Sequence, residues 1–297
     1  MMKKAVLAGF MALVTAAALG GCGSKPASSA SSQAPAAAPS AAPSEAAPAS
    51  QPASSQPASS QAQTDKEPVT ILVAAAASLE YSYTEQLIPM FQDQYPWITV
   101  EGTYDSSGKL QTQIEEGLEA DVFMSAAMKQ MNALNDEGLM ASDSIVELLE
   151  NKIVLIEPAG SEKFSAFEDI VNADMVAIGD PESVPAGQYA KEALTNLGLW
   201  DAVSTKMSLG TNVTEVLNWI AEGSADAGIV YATDAATTDQ VRVVAQAPDG
   251  SLAEKVIYPV GVTANSAHPE EAKLFTDFLA SDEALAVFEE YGFSPNV

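Results

Sequence analysis

Four segments of this chain carry small residues where a predicted strand or loop gives way to a predicted helix. They lie at 75–79, 105–108, 184–187 and 210–213. A helix start leaves backbone N–H groups without an acceptor and carries about half a positive charge, so it favours an anion. Ser, Asn and Gly also cap helices that bind nothing, so each segment alone fits either interpretation. The segments predict an anion site only if the fold brings them together.

Residues that carry out covalent chemistry are scarce. His268 is the single histidine and Cys22 the single cysteine. A histidine before Pro269, at a predicted helix start, is more simply a capping or surface residue. The sequence has no Gly-x-Ser-x-Gly motif and no histidine-rich metal set. We therefore expect no enzyme and no cofactor.

The elements that must position the four segments alternate between strand and helix from residue 68 onward. Short β-branched runs predict strands at 69–73, 98–100, 121–124, 152–156, 175–178, 228–231, 241–244 and 256–262. Apolar spacing predicts helices at 83–91, 110–118, from 187, and at 213–220, 268–280 and 282–291. Pro89 is expected to kink the first helix, and Ser281 to cap the last. The predicted fold class is α/β, with the strand order left open.

Residues 1–21 are typical of an export signal. Lys3 and Lys4 precede an apolar run that is too short to span a bilayer with ease. The run ends in Leu19-Gly20-Gly21-Cys22, which resembles the lipobox of bacterial lipoproteins. That resemblance implies that Cys22 carries a lipid and anchors the protein to the cell membrane, on its extracytoplasmic side. The alternative is an ordinary signal peptide with a chance cysteine.

Residues 22–67 are Ala, Ser, Pro and Gln almost throughout, which predicts a disordered tether. Without the signal, the chain has 11 basic against 40 acidic side chains, a net charge of −29. Such a surface repels nucleic acid and anionic lipid. We therefore expect no nucleic-acid partner and membrane attachment only through the lipid. We also expect a monomer.

Several stretches of the body resemble periplasmic molybdate-binding proteins, in the same order along the chain. They are AAAASL at 74–79, SSGKLQTQIE at 106–115, ADVFMSA at 120–126, AIGDPESVPAGQYAKEAL at 177–194, LGLWD at 197–201, GIVY at 228–231, YPV at 258–260 and FEEYGF at 288–293. The stretch from Gly179 to Gly187 is the most specific of these, whereas the Ala-rich opening alone would carry little weight.

This resemblance implies a two-lobed, type II periplasmic binding protein fold, each lobe a mixed sheet flanked by helices. It predicts a first lobe at 68–150 plus 259–297 and a second at 151–258, with the ligand in the cleft between them. It also implies that the protein captures molybdate, and tungstate, and delivers it to an ABC permease.

The family's ligand positions correspond to Ser78, Ser107, Ala186, Val213 and Tyr231. By this resemblance the serines donate hydroxyl and backbone N–H groups, Ala186 and Val213 donate backbone N–H groups, and Tyr231 donates its phenol. Molybdenum would be bound only as its oxyanion, with no protein atom on the metal. The competing interpretation is capping for the serines and a half-buried core ring for Tyr231.

A set of donors alone suits a tetrahedral dianion whose oxygens only accept. Phosphate keeps a proton near neutral pH and needs an acceptor, and sulfate is smaller than molybdate. Asp105 and Ala127 depart from the family pattern. The Asp105 carboxylate is expected to repel the ligand unless it points away, and Lys109 is placed to offset it.

Three other functions fit parts of the sequence. A receptor of the same fold for another small anion, such as a sulfonate or carboxylate, would use the same helix starts. An enzyme would need paired titrating acids in the cleft, and acidic pairs such as Glu115 with Glu116 are more simply solvated helix faces. A structural or adhesive lipoprotein would bind no small molecule.

Overall fold

The computed structural model describes residues 66–296, so Cys22, the predicted signal peptide and the tether up to residue 65 lie outside the described residues. The strands are β1 (Val69–Ala76), β2 (Ile98–Asp105), β3 (Val122–Met124), β4 (Val146–Asn151), β5 (Ile153–Pro158), β6 (Val176–Gly179), β7 (Met207–Gly210), β8 (Ala227–Tyr231), β9 (Val241–Gln246), β10 (Val256–Val262) and β11 (Ser294–Pro295).

The strands of this region form two mixed sheets. A six-stranded sheet has the order β11-β4-β10-β3-β1-β2, and a five-stranded sheet has the order β7-β6-β8-β5-β9. In the first, β1 runs parallel to β2 and β3, while β10 is antiparallel to its neighbours. In the second, β6 runs parallel to β7 and β8, while β5 is antiparallel to its neighbours. We call each sheet with its helices a lobe.

The α-helices are α1 (Glu80–Ser82), α2 (Ile88–Gln94), α3 (Ser107–Glu115), α4 (Met128–Asp136), α5 (Pro185–Asn196), α6 (Trp200–Val203), α7 (Val213–Ala221), α8 (Ala232–Ala236), α9 (Pro269–Leu279) and α10 (Asp282–Glu290). Shorter turns are the 3₁₀ segments Ala77–Leu79, Ser142–Ser144, Phe167–Asn172 and Ser204–Lys206, and the π-helical turn Tyr83–Leu87. No helix among residues 66–296 is long and apolar enough to cross a membrane.

The irregularity predicted at Pro89 takes the form of the π turn that precedes it. Pro89 has no N–H, so an α-helical bond to the carbonyl four residues earlier cannot form. The Ile88 N–H instead bonds the Tyr83 carbonyl, which widens this turn. The helical run continues, and Phe91 of α2 packs edge-on against Phe275 of α9 with ring centroids 4.9 Å apart.

The predicted strands and long helices are present, and Ser281 accepts a hydrogen bond from the Ala284 N–H, as a cap does. The prediction missed β4, β7, β11, α4 and the short helices α6 and α8. The strand β4 was missed because it runs into β5 with only Lys152 between them, and the two strands belong to different sheets.

Two connections link the sheets, namely Lys152 and the segment 247–255. All of β10 lies in the six-stranded sheet. The sequence predicted a first lobe at 68–150 with 259–297 and a second lobe at 151–258. These limits stay a prediction.

Candidate functional site

The carboxyl ends of parallel strands from both lobes meet at one small cavity. Strands β1 and β2 end there at Ala76 and Asp105, and β8 ends there at Tyr231. Crevices outside the carboxyl ends of strands are the usual ligand sites of α/β sheets. The cavity volume is about 10 Å³. This is far below the roughly 300–1,000 Å³ of pockets for drug-sized ligands, so the cavity leaves space only for a small species.

All five predicted ligand residues line this cavity: Ser78, Ser107, Ala186, Val213 and Tyr231. The first two follow strands of the six-stranded sheet, and the other three belong to the five-stranded lobe. The structure thus brings together residues that are up to about 150 positions apart in the sequence. Their role in binding remains a prediction, but their convergence is a property of the fold.

Ser78 is oriented by a chain of hydrogen bonds that starts at Asn151. The Asn151 Oδ1 accepts from the Lys152 N–H at 2.8 Å, so its Nδ2 must be the donor to the Tyr258 hydroxyl at 3.2 Å. The Ser78 Oγ lies 2.9 Å from the same hydroxyl, and either oxygen can donate. When Tyr258 is the donor in this pair, the Ser78 proton is left for the cavity.

Ser107 is the first residue of α3, and its hydroxyl is also oriented by a hydrogen bond within the protein. Its Oγ accepts from the Ala126 N–H at 2.9 Å, and the side chain is fully buried. An oxygen held as acceptor keeps its own proton free to donate elsewhere. The hydroxyl therefore supplies a donor at the cavity wall.

Ala186 and Val213 offer backbone donors from the starts of two helices. Pro185 is the first residue of α5 and has no N–H, so the first N–H of that helix belongs to Ala186. Val213 begins α7, where the Asn212 side chain caps the Glu215 N–H at 2.9 Å and not that of Val213. The first N–H groups of a helix have no acceptor within it.

Tyr231 is nearly fully buried at the end of β8 and donates to the Ala126 carbonyl at 3.2 Å. Burial raises the pKa of its phenol well above the ordinary value, and the nearby Tyr258 adds to this. The group therefore stays protonated, and in this arrangement its one proton is donated to the Ala126 carbonyl. Tyr231 belongs to the hydrophobic core and also lines the cavity, and it is more fully buried than the competing interpretation supposed.

Asp105 also lines the cavity, as its position before the serines led us to expect. Its Oδ1 accepts from the Ser106 N–H at 2.7 Å and from the Lys109 Nζ at 3.1 Å. The Asn212 Nδ2 of the other lobe lies 3.5 Å away. The carboxylate is thus engaged by donors, and the charge of Lys109 offsets it.

The two lobes touch around the cavity through further contacts. The Gly108 N–H donates to the Ser183 carbonyl at 3.0 Å, and Gln130 donates to Gln188 at 3.2 Å. A Cβ atom at Gly108 would lie 2.3 Å from the Ser183 oxygen, so the backbones approach as closely as glycine permits. This arrangement encloses the cavity between the lobes.

The sequence did not identify Ser106, Tyr258 and Asn151 as residues of the site. Ser106 lines the cavity beside Ser107, and a pair of neighbouring serines gives no sign of which one faces the ligand. Tyr258 was noted within a motif, but its contact with Ser78 joins residues 180 positions apart. Asn151 carried no signal at all, because a single amide between two strands is unremarkable in a sequence.

Across residues 66–296, no group of His, Cys, Asp and Glu side chains is arranged to hold a metal ion. The cavity wall instead offers hydroxyl and backbone N–H groups. Such groups can hold the oxygens of an anion, and they present no ligand set for a bare cation.

Comparison with known proteins agrees with this description. Residues 71–294 match the family of bacterial extracellular solute-binding proteins. YvgL of Bacillus subtilis (strain 168), provisionally named an ABC transporter substrate-binding lipoprotein, is 41% identical over 79% of this chain and 90% of its own. The molybdate-binding protein ModA of Haemophilus influenzae is 38% identical over 75% of this chain and 89% of its own.

A solved structure gives the same result for the fold. The substrate-binding domain of a provisionally assigned molybdenum ABC transporter of Clostridium difficile is 37% identical, with a TM-score of 0.61, over 76% of this chain and 98% of its own. The relatives confirm the resemblance and the two-lobed α/β fold, and they are binding proteins rather than enzymes. The chain belongs to the bacterial extracellular solute-binding proteins.

Proposed function

We propose that the protein captures molybdate, and also tungstate, and delivers it to the permease of an ABC transporter. One observation carries this proposal: Ser78, Ser107, Ala186, Val213 and Tyr231 line a single small cavity. The relatives that bear the name of molybdate-binding proteins support the choice of ligand.

The chemistry of the cavity supports a tetrahedral dianion. Hydroxyl and N–H groups donate to oxygens that only accept, and neutral donors leave no side-chain charge buried when the ligand departs. Hydrogenphosphate brings a proton that needs an acceptor, and the Asp105 carboxylate is already engaged by the Ser106 N–H and by Lys109. The proposed capture needs no cofactor.

Capture is proposed to couple to closure of the lobes. Ser78 and Ser107 belong to one lobe and Ala186, Val213 and Tyr231 to the other, so a bound oxyanion contacts both. A ligand that contacts both lobes favours the closed arrangement by its contacts with the second one. The connections at Lys152 and 247–255 are the proposed hinge.

We further propose that lipidated Cys22 anchors the protein, as a monomer, to the extracytoplasmic face of the cell membrane. The lipobox-like end of the export signal supports this, as does the name of the Bacillus subtilis relative. Replacement of Cys22 by Ala should release the protein from membranes into the soluble fraction and abolish incorporation of labelled fatty acid. Continued labelling of the Cys22→Ala protein would contradict the anchor.

Isothermal titration calorimetry of the full chain tests the ligand. Molybdate and tungstate should bind with micromolar or tighter affinity at a stoichiometry of one, whereas sulfate, phosphate, methanesulfonate and acetate should bind far more weakly. A preference for a sulfonate or a carboxylate would establish another anion as the ligand. Absence of heat with every anion would contradict anion capture altogether.

A further inference from the structure

Ser106 presents a buried hydroxyl that no protein group satisfies. The residue is only 3% exposed, and its Oγ has no hydrogen-bond partner in the protein. It lines the same cavity as the predicted donors. Buried polar groups are nearly always paired, so an unpaired one calls for an explanation such as a ligand.

Helix capping does not supply that explanation. Ser106 is the N-cap of α3, yet its side chain makes no capping hydrogen bond. Its backbone is engaged on both sides, because its N–H donates to the Asp105 carboxylate at 2.7 Å and its carbonyl accepts from the Leu110 N–H at 3.1 Å. The backbone is therefore held in place, and the hydroxyl is the polar group of Ser106 that has no partner.

Ser106 differs in this respect from both serines that the sequence assigned to the site. The Ser107 Oγ is held by the Ala126 N–H and the Ser78 Oγ by Tyr258. Both of those hydroxyls are therefore oriented before a ligand arrives, whereas that of Ser106 has no contact to orient it. A bound oxyanion would supply the partner that the protein lacks.

We propose that Ser106 donates its hydroxyl to an oxygen of the bound oxyanion, as a donor additional to the five predicted residues. This inference rests on the proposed function and refines it. With Ser106, the six-stranded lobe contributes three serine hydroxyls to the ligand. Removal of the Ser106 hydroxyl should lower the affinity, although it breaks no hydrogen bond in the ligand-free protein.

The test is the replacement Ser106→Ala, measured by calorimetry with molybdate and by thermal unfolding of the ligand-free full chain. Molybdate affinity should fall about 10- to 100-fold, the range for a hydrogen bond to a charged group. The melting temperature without ligand should be unchanged or slightly higher, because an unpaired buried hydroxyl is removed. An ordinary capping role would instead lower the melting temperature and leave the affinity unaltered.

Ser251 provides a matched control. It is 2% exposed, its Oγ also lacks a partner, and it lies outside the cavity. Ser251→Ala should leave molybdate affinity unchanged. If the unaltered protein binds molybdate tightly and the Ser106→Ala and Ser251→Ala proteins bind it with equal affinity, the proposed role of Ser106 is wrong while the proposed function stands. Failure of the unaltered protein to bind molybdate would overturn the proposed function and this inference with it.

Discussion

The hydrogen bond between Tyr258 and Ser78 allows a sharp test of how the site is oriented. In Tyr258→Phe, the ring stays and only the hydroxyl is removed. The side chain is fully buried, and its hydroxyl contacts the Ser78 Oγ at 2.9 Å and the Asn151 Nδ2 at 3.2 Å. Each lost bond costs about 0.5–1.5 kcal/mol, so the free energy of unfolding should fall by about 1–3 kcal/mol.

The effect on binding follows from the freedom that Ser78 gains. A hydroxyl has three staggered positions, so loss of its fixed orientation should weaken binding about threefold. Loss of the polarising contact with Tyr258 adds to this, for a total of about threefold to tenfold. Molybdate affinity of the Tyr258→Phe protein, measured by calorimetry at constant salt, gives the comparison.

A double-mutant cycle distinguishes this explanation from a general loss of packing. If Tyr258 acts through Ser78, Tyr258→Phe should weaken binding in the unaltered protein but have no further effect on affinity in the Ser78→Ala protein. Equal effects in both backgrounds, or no effect in either, would refute the reasoning. The stability loss should persist in both backgrounds, since the Asn151 contact is lost in each.

Three further predictions concern charged groups. Burial raises the pKa of the Asp234 carboxyl from 3.8 to about 7. Between these two pH values the folded state holds a proton that the unfolded state has released. The contribution of Asp234 to the free energy of unfolding is therefore lost as the pH rises from about 4 to about 7. Denaturant unfolding should show that Asp234→Asn gains up to about 4 kcal/mol over the unaltered protein across that range; a pH-independent difference would exclude this. Arg242→Ala leaves the fully buried Glu157 without its cation, and should cost about 3 kcal/mol or more in urea unfolding, most of it restored by adding Glu157→Gln. Lys109→Ala should weaken molybdate binding in calorimetry, by less in high salt, because the Asp105 charge at the cavity loses its partner.

The sequence predicted those parts of the site that depend on local chemistry. Pro185 at the first turn of α5 and Asn212 before α7 mark helix starts by residue type. Helix α7 begins where expected, whereas α5 begins at Pro185, before the predicted start at 187. The resemblance then selected Ala186 and Val213 from those starts. Their meeting with Ser78 and Ser107 at one cavity depends on the strand order, which a single sequence does not determine.

The parts that the sequence did not predict depend on contacts rather than on residue type. Ser106 and Ser107 are adjacent and chemically identical, yet one hydroxyl is held by Ala126 and the other is unpaired. Tyr258 lies beside Ser78 only because the chain returns to the six-stranded sheet at β10. A pattern of residue types contains no information on either contact.

The charge of the protein and the chemistry of the cavity act over different distances. A net charge of −29 without the signal repels a dianion at long range, but salt screens this beyond about 8 Å under physiological conditions. At the cavity, Asp105 is paired with Lys109, and the proposed donors to the ligand are neutral. Ionic strength should therefore act mainly on the rate of encounter, while the hydrogen bonds from both lobes set the rate of release. A receptor of the proposed kind would retain a dianion without a buried cation, and opening of its lobes would withdraw the donors of one lobe in a single step.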